Sequence, residues 1–347
     1  MQKKFMVILI VSIFFIGGIF AFGLIGFFTY GYLDEFKTYD EYQISETPPS
    51  EIGLIFNTDL SDLTIQYNTS TIDSTIAMRI ESHIHVEGIF ILGRTLSDFF
   101  NPVKIINQST TKGLEIRRRE LAWFSPTNWF LGMKVNLTVT LRTDLKYNIS
   151  ANIGAGKISF QCGTNTTLDA TELTIGTGDI SMEADQVNFT NNIHLETTLG
   201  DISGNFKNCS LSGNLNFVIN TGNIDFNAQN FTYGSDSRWD ISTIMGNINI
   251  DILQNRSMNH DIELNSIIND IGILNLHYKD TNNTIGSEIS GQVNQGQGGV
   301  VIREPLIGFQ KISETFIRSD DWDLEQDKYD ITLRASTGDI IINAQSF

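Results

Sequence analysis

Two stretches of the chain alternate apolar and polar residues one by one. Met78, Ile80, Ser82, Ile84 and Val86 are interleaved with Arg79, Glu81, His83, His85 and Glu87; Val135, Leu137, Val139 and Leu141 with Asn136, Thr138, Thr140 and Arg142. A period of two sends successive side chains to opposite faces, so both stretches predict half-buried β-strands. After residue 145 the alternation becomes a repeat. Gly156-Lys157-Ile158-Ser159-Phe160 is followed by Gly178-Asp179-Ile180, Gly200-Asp201-Ile202, Gly222-Asn223-Ile224 and Gly246-Asn247-Ile248, so the glycines step by 22, 22, 22 and 24 residues. A weaker copy begins at Gly272, and the last begins at Gly338, 66 residues (three times 22) later.

Each copy keeps its apolar residues in one phase around the glycine. Leu215, Phe217 and Ile219 precede Gly222 as Ile193, Leu195 and Thr197 precede Gly200, and Trp239, Ile241 and Thr243 precede Gly246. A second apolar pair follows each glycine: Val187 and Phe189, Cys209 and Leu211, Phe231 and Tyr233. About three short strands fit in each unit, separated by Gly, Asn and Asp turns. One such coil cannot bury its inward stripe alone, but stacked coils share a core, so the phase predicts an all-β, parallel β-solenoid with coils of about 22 residues. An antiparallel sandwich gives no reason for a fixed phase.

The first part of the chain is different. From Phe5 to Tyr32 there are 28 residues without a charge, preceded by Lys3 and Lys4 and followed by Asp34. About 20 apolar residues cross a bilayer, and the flanking lysines place the N-terminus inside. A cleavable signal peptide has a shorter apolar core and a small-residue cleavage site, which this run lacks. The expected organisation is a cytoplasmic tip over 1–4, a transmembrane helix over 5–32 and a stalk over 33–50. A β-rich subdomain with a cap over 51–145 and a repeat domain over 146–347 follow, the latter carrying a flexible insertion near 286–299. The expected location is the plasma membrane, single-pass, with the bulk of the chain extracytoplasmic and lipid as a partner of the helix.

Charge and glycan signals fit that placement. Without the two leading lysines, 23 − 2 = 21 basic residues face 40 acidic ones, a balance of −19. Such a surface repels polyanions, so no nucleic-acid partner is expected. Ten Asn-x-Ser/Thr sequons occur; Asn165, Asn188, Asn208, Asn230 and Asn255 recur at similar phases, and most share outward parity, which predicts one sugar-coated column. Asn136 is a further candidate, on the wet face of its strand. Cys209 falls at an inward position and, with Cys162 two coils away, reads as a buried hydrophobe rather than half of a disulfide.

The glycine-led ladder, together with the stretch from Val135 to Ile149 leading into Gly156-Lys157-Ile158-Ser159-Phe160, resembles an adhesin β-solenoid family of bacterial and archaeal envelopes. The resemblance covers roughly residues 130–276 and 328–347. It implies a right-handed coil stack and a cell-surface role, with envelope glycans or surface proteins as partners and no catalytic signature.

Four groups of residues merit weighing as sites. Asp179, Asp201, Asn223 and Asn247 fall in register after the glycines, where turn chemistry competes with a shared calcium ion or a catalytic carboxylate pair. His83 and His85, with Glu81 and Glu87, share a strand face as a metal pair or a solvated surface. His194, His260 and His277 show no common register. Arg117, Arg118, Arg119, Trp123, Phe124, Trp129 and Phe130 read as a cap over a sheet end, as a partner-binding patch or as a contact with lipid head groups. No phosphate-binding loop, dinucleotide fingerprint, catalytic triad or zinc spacing is present. The expectation is therefore a non-catalytic surface protein without a cofactor, calcium being the one ion considered. The alternative is a carbohydrate-active β-helix enzyme acting on polysaccharide.

Overall fold

A computed structural model describes residues 30–43, 51–67, 76–89, 91, 93–120, 131–234, 237–254, 262–281, 286–293, 298–320 and 328–346. Among these residues the chain is all-β: no α-helix occurs, and none is long and apolar enough to cross a membrane. One turn of 3-10 helix, Leu96–Asp98, breaks the run of strands.

The first six strands are β1 (Tyr30–Gln43), β2 (Ile52–Tyr67), β3 (Ile76–Ile89), β4 (Lys104–Asn107), β5 (Thr111–Ile116) and β6 (Leu131–Leu141). Two long strands follow, β7 (Tyr147–Gln161) and β8 (Thr167–Asp185). Shorter ones carry the repeat: β9 (Asn188–Phe189), β10 (Ile193–Leu199), β11 (Ile202–Lys207), β12 (Ser210–Leu211), β13 (Leu215–Thr221), β14 (Ile224–Gln229) and β15 (Thr232–Tyr233). Next are β16 (Arg238–Met245), β17 (Ile248–Gln254), β18 (Ile262–Ile271) and β19 (Leu274–Asp280). The remainder are β20 (Gly286–Val293), β21 (Val300–Ile302), β22 (Phe309–Ser313), β23 (Phe316–Ser319), β24 (Lys328–Thr337) and β25 (Ile340–Ser346).

These strands pair into rows. One row runs from the first half of β2 through β7, β8, β10, β13, β16, β18 and β24 to β20, all parallel. A second runs from β6 through the latter halves of β2, β7 and β8, then β11, β14, β17, β19 and β25 to β21, again parallel. A short third row joins the start of β8 to β9, β12 and β15. The ends are antiparallel: β3 and β1 extend the second row beyond β6, β4 lies on β5, and β23 and β22 close the other end. The sheet is therefore mixed, and antiparallel strands terminate its parallel centre.

Register follows the glycines, because Gly156 lies opposite Gly178 between β7 and β8. Gly178 has φ +132°, a conformation that other residues avoid, and a Cβ on it would sit 1.7 Å from the Gly156 carbonyl oxygen. Gly200, Gly222, Gly246 and Gly338 repeat this approach, each to the glycine on the strand below. The repeat thus has a packing cause: only a hydrogen atom fits between successive corners.

The inward residues form one continuous core. Ile149, Leu173, Leu195, Phe217 and Ile241 lie under the first row, Ile158, Ile180, Ile202, Ile224 and Ile248 under the second, and Phe189, Leu211 and Tyr233 under the third; all are buried. An aromatic cluster fills its centre, with Phe206 5.8 Å from Phe189, 5.6 Å from Phe226 and 5.5 Å from Phe231 between ring centroids. Burying each such ring contributes roughly 1.5–3 kcal/mol.

Four expectations are corrected. Tyr30–Gln43, expected as the end of a helix and a stalk, is a strand on β3, since its residues alternate between the two faces of the sheet. The rest of the 5–32 run, residues 5–29, lies outside the described residues. Within 51–145, β2, β5 and β6 are not a separate subdomain but continue the parallel rows, with Ser61 standing opposite Gly156. The insertion near 286–299 is in part a strand: β20 pairs with β24, and Gly298 turns a corner at φ +120° against Gly338. Finally, the 66-residue step from Gly272 to Gly338 spans no intervening layer. β24 and β25 lie directly on β18 and β19, and β20 and β21 stack beyond them.

Candidate functional site

β1 and β3 run antiparallel with Asp34 opposite His85 and Phe36 opposite His83. Because the pleat has period two, Asp34, His83 and His85 all point to the outward face. Asp34 Oδ1 lies 3.0 Å from His83 Nε2 and 2.6 Å from His85 Nδ1. The donor atoms of all three fall within 4.8 Å of one another. Rings fix the imidazoles: Phe36 stacks on His83 at 3.8 Å and 12°, and Tyr32 faces His85 at 6.1 Å and 18°. His85 Nε2 is 3.6 Å from Glu87 Oε2, and Glu87 accepts the Tyr30 hydroxyl. Hydrogen bonds from His85 and His83 hold the Asp34 carboxyl below its ordinary value, and the bond to Asp34 raises that of His85. Glu81, grouped with the histidines by sequence, instead faces Thr38 and Thr138. Asp34 escaped the sequence reading because it closes the apolar run; the signal available was its position in the alternation Tyr32, Asp34, Phe36.

The acid ladder resolves into turn chemistry. Asp179 Oδ1 accepts the Asp201 backbone N–H at 3.0 Å, Asp201 Oδ1 accepts that of Asn223 at 2.7 Å, and Asn223 Oδ1 that of Asn247 at 3.0 Å. Each side chain caps the next strand's corner, which is why Asp and Asn are interchangeable there.

The sequons do not form one column. Asn165, Gln186, Asn208 and Asn230 share a corner in the left-handed conformation, with φ of 59°, 58°, 52° and 51°. Asn188 belongs to a different column, aligned with Ser210 and Thr167. Within the corner the amides link: Asn230 Nδ2 donates to Asn208 Oδ1 at 3.0 Å, and Asn208 Nδ2 to Asp185 Oδ1 at 3.2 Å. Asn230 is buried and Asn208 half-buried, whereas Asn165 and Asn188 are exposed and line an open groove of about 430 Å³. Asn136 is half-buried beside His83; Asn255 lies outside the described residues.

The arginine patch is tied down at its start. Arg117 pairs with Asp59 at 2.8 Å and Glu115 at 3.1 Å, and the Arg118 backbone N–H donates to Asp59 at 2.7 Å. Arg119 is exposed. Trp123, Phe124, Trp129 and Phe130 lie outside the described residues.

A feature without a counterpart among the sequence expectations runs along the glycine corner. Leu199, Thr221, Met245 and Ile271 are in register across β10, β13, β16 and β18. Leu199 is 51% exposed, Met245 and Ile271 50%, and the adjacent Ile244 51% and Ile273 40%. The signal was present as an apolar residue immediately before three of the glycines.

No known protein family matches the chain, and no curated protein is similar to it at a significant level. Solved structures overlap with it weakly. A candidate cell adhesion protein from Clostridium sporogenes aligns over 91% of this chain and 100% of its own at 14% identity and a TM-score of 0.27. A candidate adhesin from Bacteroides fragilis aligns over 89% and 96% at 10% identity and 0.29, and one from Parabacteroides merdae over 71% and 89% at 11% and 0.20. Scores this low do not establish a shared fold.

Proposed function

We propose that the chain is a membrane-anchored cell-surface protein of structural or adhesive type, a right-handed β-solenoid that binds rather than catalyses. The observation that carries this reading is the apolar ridge of Leu199, Ile244, Met245, Ile271 and Ile273. Exposed apolar side chains along one corner of a strongly acidic exterior, interrupted by Thr221 between Leu199 and Met245, mark a surface that a partner covers. The ridge follows the glycine corner, away from the asparagine corner where Asn165 is exposed, so glycans there leave it accessible. The parallel pairing at steps of 22 residues supports the solenoid, and the charge-free run over 5–29 supports the anchor.

The test is to screen the full-length chain in detergent against arrayed glycans and envelope polymers, with and without calcium, reading both retention and cleavage. Retention that falls at least tenfold in a folded Met245→Asp, Ile271→Asp double variant supports the reading. Product release overturns it in favour of a carbohydrate-active enzyme, and retention indifferent to the double variant removes the ridge as the binding surface.

A further inference from the structure

The geometry points to Asp34, His83 and His85 as a divalent transition-metal site, of the kind that takes zinc, on the outward face of the antiparallel strands that end the second row. Three observations converge on it. First, two imidazole nitrogens and a carboxylate oxygen from strands far apart in sequence meet within 4.8 Å. Around a tetrahedral ion with bonds of about 2.0–2.1 Å, ligand atoms stand about 3.3 Å apart. The observed 3.0 and 2.6 Å need about 0.3 and 0.7 Å of spreading to reach that separation, within reach of side chains about 30% exposed.

Second, the imidazoles are oriented before any ion arrives. Phe36 holds the plane of His83, and Glu87 faces His85 Nε2 while Nδ1 points to the shared position. A carboxylate behind a ligating histidine fixes its tautomer and raises its basicity. Third, the donor set discriminates. Two nitrogens and one oxygen suit zinc, copper(II) or nickel(II), whereas calcium takes six to eight oxygens. The calcium considered from the acid ladder is therefore not the ion that this site selects. Three protein ligands leave a coordination position for water.

The physical result of occupancy is a staple. Among the described residues, β1 lies at the edge of the second row and pairs there with β3 alone. An ion held by Asp34 on one strand and by two histidines on the other cross-links residues about 50 positions apart, so it stabilises the attachment of β1 selectively.

The experiment uses the full-length, untagged chain in detergent, stripped by chelation, titrated with zinc by calorimetry and followed by hydrogen exchange. The expected result is one equivalent bound at micromolar affinity or tighter, with exchange slowed in 30–43. His83→Gln combined with His85→Gln weakens binding at least 100-fold and Glu87→Gln about 10-fold, while His277→Ala leaves it unchanged. Cobalt(II) substitution gives visible d–d bands that the double variant loses. The proposal is overturned if zinc does not saturate at one equivalent, if the folded double variant binds as the native chain does, or if calcium slows exchange in 30–43 and zinc does not. The double variant's metal-free unfolding midpoint must match the native one; if it does not, Asp34→Asn replaces it under the same criteria.

Discussion

Gly178 stacks on Gly156 so closely that a Cβ on the upper residue would enter the carbonyl oxygen of the lower, 1.7 Å away. Gly178→Ala therefore meets both a backbone clash and a positive φ. The two together cost about 3 kcal/mol or more. Gly299, where a Cβ would meet nothing within 4 Å, is the matched control, and its alanine variant stays within about 0.5 kcal/mol of the parent. Urea denaturation of both variants measures the difference; equal midpoints would remove the stacking argument.

The asparagine corner predicts uneven glycan occupancy. Asn230 is buried and its amide is committed to Asn208, so a sugar there is incompatible with the ladder. Peptide mapping of native material is expected to find glycan on Asn165 and Asn188 and none on Asn230. A fully occupied Asn230 in folded protein contradicts the corner as described.

Much of this architecture is legible in the sequence, for reasons that separate the successes from the failures. Leu215, Phe217 and Ile219 announce their strand because burial, alternation and the following glycine are all local requirements. Ser61 does not announce its partnership with Gly156, because it lacks the glycine signature and its partner lies 156 − 61 = 95 residues on. The sequon column fails on phase, not parity: Asn188 falls two positions past the corner residue Gln186, so it keeps the parity of the corner but belongs to the next column. Asp34 is a site residue only because β1 folds back on β3, a pairing with no local signature.

Cys209 gives a prediction about reactivity. Burial pushes its thiol up to about 11, so the thiolate that reacts is scarce at neutral pH. Alkylation by iodoacetamide at pH 7.5 is expected to proceed at least 100-fold more slowly in the native chain than in urea. Comparable rates would mean that the third row opens readily.

Asp169 predicts a pH dependence. Lys146 at 2.7 Å, and Thr190 also at 2.7 Å, hold its carboxyl below the ordinary value. A lowered folded-state value means stability present above the unfolded value, near 4, and lost as pH falls through the folded one. Asp169→Asn is expected to cost about 1 kcal/mol at pH 7, with the difference shrinking toward pH 2. A difference that grew with acid would reverse the sign and refute the pairing.

The layer formed by β24 and β25 rests between β18–β19 on one side and β20–β21 on the other. Synthesis runs from N to C, so β20 and β21 leave the ribosome before the strands on which they must rest exist. Each earlier layer from β7 to β19 can settle on its predecessor as it emerges, but this end of the molecule has to wait with its edges open and then admit a late arrival. The far end is thus a keystone joint, and the time between the exit of β21 and that of β25 is when the nascent chain is most exposed to pairing with a neighbour.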